Sequence, residues 1–147
     1  MADERDAIDL LVSEMDRLYR NRGIRFELVK WEDKNQSFNA TRKQDDFNEE
    51  MLQCDIVIVL FGKRIGAFTK EEYNRAFASL KNGHKPDHLF VYFKTFHYTD
   101  VPEADLKKIT DFRKEIDSKG QFSKNYKDIK ALQHDFQKQL TIIVNNL

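Results

Sequence analysis

Residues 54–80, CDIVIVLFGKRIGAFTKEEYNRAFASL, constrain the fold more tightly than any other stretch. Ile56, Val57, Ile58, Val59, Leu60 and Phe61 form an unbroken apolar, mostly β-branched run. A run without polar alternation suits the interior of a parallel sheet covered by helices on both faces. Gly62 and Gly66 then interrupt it and let the backbone turn sharply. Thr69 is positioned to cap a helix starting at Lys70, with Tyr73, Ala76, Phe77 and Leu80 on one apolar side. Ligands of open α/β sheets bind outside the carboxyl ends of the strands, so residues 62–72 are where chemistry is expected.

The rest of the chain alternates in the same way. Residues 3–20 form an amphipathic helix with Ile8, Leu11, Val12, Met15, Leu18 and Tyr19 on one face, ended by Asn21 and Gly23. A strand is expected over 24–31, a polar loop over 32–43 and a short helix over 45–53. After the helix at 70–82, a third strand spans 88–95. A helix at 103–118, a short edge strand within 121–126 and a final amphipathic helix at 128–146 follow. This order predicts one α/β domain, residues 1–147, with a mostly parallel sheet.

Composition narrows the function. Lys+Arg and Asp+Glu both number 25, for a formal net charge of zero, which argues against broad binding to nucleic acid or an anionic membrane. The longest apolar run is too short to span a bilayer, and MADERDAI carries no apolar signal region. The single cysteine, Cys54, cannot form an internal disulfide and fits a reducing cytoplasm; it reads as a small core residue. His84 and His88 flank Pro86, where no helix aligns them, so no metal site is expected. No serine sits in a nucleophile elbow.

Several motifs together resemble a known family: Trp31-Glu32-Asp33, Gln44-Asp45-Asp46-Phe47-Asn48-Glu49-Glu50-Met51, Cys54-Asp55, Gly62-Lys63-Arg64-Ile65-Gly66, and Thr69-Lys70-Glu71-Glu72-Tyr73 with Ala76. In order and spacing, over roughly residues 3–95, they resemble the TIR-like domains found at the N-terminus of large signalling NTPases. The resemblance implies a flavodoxin-like three-layer sandwich whose first strand is missing here, because that fold opens on a strand and this chain opens on a helix. Either the recorded start lies downstream of the natural one, or the strand at 24–31 pairs directly with the strand at 56–61 or with another copy. Three or four strands and an association-prone edge are expected.

Enzymatic members of the family are similar to nucleosidases that cleave NAD between nicotinamide and ribose. They use a glutamate within a Thr-x-x-Glu pattern, with a small residue four positions on. The pattern falls on Thr69, Glu72 and Ala76, so the resemblance implies Glu72 as the catalytic carboxylate, with NAD as substrate rather than cofactor. Lys63 and Arg64 are placed to meet a pyrophosphate, together with backbone N–H groups near residue 70. Trp31, Phe68 or Tyr73 are candidates to stack on a base or on nicotinamide. A plainer reading makes Thr69-Lys70-Glu71-Glu72 a helix capping box. The corresponding alternative function is a non-catalytic module that self-associates or serves a larger signalling protein.

Overall fold

The computed structural model describes residues 2–29, 48–121 and 123–147, without the side chains of Ala67 and Phe68. Its elements are α1 (Ala2–Tyr19), β1 (Ile56–Phe61), α2 (Ala67–Lys81), β2 (His88–Lys94), α3 (Glu103–Ser118), β3 (Ser123–Tyr126) and α4 (Ile129–Asn145). The class is α/β, with a three-stranded sheet in the order β1-β2-β3 among the described residues. The chain divides into two compact units, one of residues 31–125 and one of residues 1–30 with 126–147.

In the larger unit, β1 and β2 pair in parallel, with Val57 opposite Leu89, Val59 opposite Val91 and Phe61 opposite Phe93. Side chains alternate across a strand, so these six share one face. That face packs with Tyr73 and Ala76 of α2 and Ile109, Phe112 and Ile116 of α3 in a single buried cluster. Phe61 stacks on Phe93 at 5.1 Å between ring centroids and meets Phe112 edge-on at 5.0 Å. The unbroken apolar run points to a strand in the sheet's interior. Instead, β1 lies at an edge of the described sheet and β2 lies in the middle. Accordingly Ile56, Ile58 and Leu60 are only half-buried, whereas Val57, Val59 and Phe61 are buried. Cys54 sits just before β1, partly buried against the same cluster.

In the smaller unit, α1 and α4 are in contact. The Gln133 side-chain amide donates to the Ala7 carbonyl at 3.0 Å. Asp128 opens α4 by accepting from the Ala131 N–H at 2.8 Å, a side-chain N-cap. Burial, together with the neighbouring Glu4 carboxylate, pushes the Tyr126 phenol well above its ordinary range.

The expected strand at 24–31 is not formed over residues 24–29; residues 30 and 31 lie outside the described residues. Gly23, at φ 75°, turns the chain after α1. Asp16 then accepts from the Phe26 N–H at 2.8 Å and from Arg25 Nε at 2.9 Å. A side chain thus takes the backbone donor that a sheet ladder would use. Of the helix expected at 45–53, residues 48–51 are helical and 45–47 lie outside the described residues.

Candidate active site

The parallel pairing of β1 with β2 brings their carboxyl ends side by side, Phe61 opposite Phe93. Residues 62–66 leave β1 at that end and enter α2. The helix starts earlier than its sequence suggests, with Gly66 as N-cap and Ala67 as first residue. Its first turn closes when the Lys70 N–H donates to the Gly66 carbonyl at 3.0 Å. Thr69 is therefore the third residue of the helix and Glu72 the sixth, and the N-cap makes no side-chain hydrogen bond. This corrects the capping box: Thr69 cannot cap a helix that began before it, and Glu72 is too far along to reach back to the cap.

Gly66 has φ −69° and ψ 142°, ordinary extended backbone. Among the described residues a Cβ there would meet only Thr69 Oγ1, at 3.5 Å, an ordinary van der Waals contact. The left-handed glycines are Gly23, Gly83 and Gly120. Gly62 is half-buried directly after β1.

On α2 the buried stripe is Tyr73 and Ala76, with Phe77 and Leu80 partly buried beside it. At 100° per residue, Glu72 lies about 40° from Ala76 around the helix, on the flank of that stripe. It is partly buried. Glu71, the adjacent carboxylate, is tied to Arg75 at 3.3 Å. Of the two acids, Glu72 is the one beside the core-facing stripe.

Tyr73 departs from its expected role. It is 1% exposed, stacked on Phe77 at 5.8 Å and edge-on to Phe112 at 5.5 Å between centroids. A ring so enclosed cannot stack on a ligand. Burial, and secondarily the Glu115 charge, push its phenol up to about 12. Its hydroxyl has no hydrogen-bond partner among the described residues.

Arg64 is brought to a partner that sequence reasoning missed. Its Nε lies 3.5 Å from Asp105 Oδ2; the arginine side chain is 83% exposed and the aspartate 18%. Asp105 stands in the acidic first turn of α3, which follows β2. The loop leaving β1 is thus tied by an ion pair to the start of the helix that follows β2. The only advance signal was an acidic helix start, too common to single out Asp105. Lys70 is also engaged, its Nζ 5.2 Å from the Phe112 ring centroid. Trp31 and the side chain of Phe68 lie outside the described residues. Of the expected site residues, then, Gly62, Arg64, Gly66, Thr69 and Glu72 lie on one continuous strand–loop–helix turn, while Tyr73 belongs to the core beneath it.

No group of three or more His, Cys, Asp or Glu gathers as a metal site among the described residues. No helix there is long and apolar enough to cross a membrane. Comparison with protein-family models, with curated proteins and with solved structures finds no match.

Proposed function

We propose that the chain is a TIR-like domain of flavodoxin type that hydrolyses the nicotinamide–ribose bond of NAD, with Glu72 as the reacting carboxylate. The observation that carries this reading is the start of α2 at Ala67. It removes helix capping as the account of Glu72, a partly buried carboxylate in the second turn of the helix that follows the carboxyl end of β1. Cleaving an N-glycosidic bond builds positive charge on ribose, which a nearby carboxylate stabilises. Nicotinamide leaves from a cationic ring as a neutral molecule. The bond's electron pair goes to the pyridine nitrogen and no general acid is required. Water then adds to the ribose carbon and loses a proton, giving ADP-ribose. In this reading the domain is a cytoplasmic sensing or effector part of a signalling or defence protein.

A second reading is favoured by a different observation. Arg64 is occupied by Asp105 and Tyr73 is enclosed, so two expected ligand contacts are committed to the protein itself. That suits a non-catalytic module acting through self-association. Incubation of the purified chain at high concentration with NAD, following free nicotinamide, separates the two. The first reading expects release that falls about 100-fold or more in Glu72→Gln, with helix content and assembly state retained. Release unchanged in that variant removes Glu72 from the mechanism. No release, together with a defined oligomer in sedimentation, selects the interaction module.

A further inference from the structure

We propose that Asp105 tempers the charge selectivity of the candidate site: it occupies Arg64 until a ligand bearing a pyrophosphate displaces it, so Arg64 favours nucleoside diphosphates and dinucleotides over nucleosides while Asp105 holds that preference down. This inference rests on the nucleotide-binding reading of the loop at 62–66 and narrows its ligand class.

Three features of the ion pair support exchange. The contact, from Nε to Oδ2 at 3.5 Å, is longer than a hydrogen bond, so the forked edge of the guanidinium is not locked in the bidentate geometry that makes arginine–carboxylate pairs strong. The partners are unequally seated: Arg64 stands at the rim, 83% exposed, while Asp105 is 18% exposed. The hydrated partner is therefore the cation. Finally, Asp105 lies in the first turn of α3, where the helix dipole favours a carboxylate whether or not Arg64 remains. Departure of the arginine does not strand an uncompensated charge.

An incoming neutral nucleoside gains nothing from Arg64 and leaves the pair intact. A pyrophosphate offers adjacent oxygens that match the guanidinium fork bidentately, and it takes the arginine from its single long contact. Repulsion by Asp105 then falls on every anion at the rim. Only a ligand with enough charge to hold Arg64 fully gains from binding there.

The test is calorimetric titration of the whole chain with NAD, adenosine as the neutral nucleoside, and inorganic pyrophosphate, in wild type, Asp105→Asn, Arg64→Gln and the double variant, with circular dichroism as the check on folding. Asp105→Asn is expected to tighten NAD and pyrophosphate about two- to fivefold, the factor that an exposed ion pair corresponds to. Adenosine should be unmoved and the gain should shrink in high salt. In the Arg64→Gln background the Asp105 effect should vanish. Unchanged NAD and pyrophosphate affinity in Asp105→Asn, an equal gain for adenosine, a gain that persists without Arg64, or no pyrophosphate binding by any variant overturns the proposal. If pyrophosphate follows the expected pattern but NAD is never cleaved, the Glu72 reading fails and the competition of Asp105 for Arg64 stands. If NAD is cleaved but Asp105→Asn shifts no affinity, the reverse holds.

Discussion

Tyr73 carries a phenol into a core that supplies its ring with aromatic neighbours and its hydroxyl with no hydrogen-bond partner among the described residues. Leaving such a group unbonded costs about 1–3 kcal/mol of desolvation. Replacing Tyr73 with Phe keeps both ring contacts and removes that cost, so the variant is expected to be about 1 kcal/mol more stable in urea unfolding. A less stable variant would mean that the hydroxyl has a partner in solution. Asp16 is the opposite case, a carboxylate supplied with donors. The Arg25 hydrogen bond, then the Phe26 N–H, hold its carboxyl well below the usual carboxylate range. A depressed folded-state pKa stabilises at pH values above the unfolded pKa of about 3.9 and is lost as pH falls. Asp16→Asn should therefore unfold at lower urea than wild type at pH 7, with the gap narrowing at pH 3. An equal gap at both pH values would show that Asp16 acts through shape rather than charge.

Between elements, the packing of α2 on the sheet depends on how small residue 76 is. Ala76 is 0% exposed within the cluster shared with β1, β2 and α3. Ala76→Leu adds methylenes to a filled space and should cost about 1–3 kcal/mol, read as a lowered urea midpoint with an unchanged slope. The periodicity of Tyr73, Ala76, Phe77 and Leu80 made this face legible in the sequence, as it did for the faces of α3 and α4 and for that of α1 except Leu18, which is 66% exposed near the helix end. What periodicity could not supply was the partner of each exposed polar group. The strand expected near Ile24 competes with a turn in which Asp16 claims the Phe26 N–H, a contact across ten positions that no local pattern announces. The same limit hid the start of α2. Thr69 has the chemistry of a cap, but the chain is already helical two residues earlier. At the candidate site, the strand–loop–helix turn and the position of Glu72 on it follow from sequence, whereas the Arg64–Asp105 pair joins segments that are distant along the chain.

For the molecule as a whole, charge balance bears on how assembly must be measured. Lys+Arg 25 and Asp+Glu 25 give a formal net charge of zero, and the sequence pI is about 6.9. Near neutral pH the chain has no net repulsion between copies, the condition under which proteins associate without specificity. Exposed apolar side chains such as Leu10 and Leu18 on α1 add to that tendency. Solubility is therefore expected to be lowest near pH 7 and to recover at pH 8.5, above the sequence pI of about 6.9, where the chain carries net negative charge. Light scattering across this range checks it. The outcome also decides how the interaction-module reading is judged. Charge-balanced clustering disperses at pH 8.5 and has no fixed stoichiometry. A surface evolved for self-association keeps a defined oligomer at the same pH, because its contacts are complementary rather than merely unrepelled. Oligomers seen only at pH 7 would carry no weight for that reading, and a single stoichiometry at both values would favour it over nonspecific association.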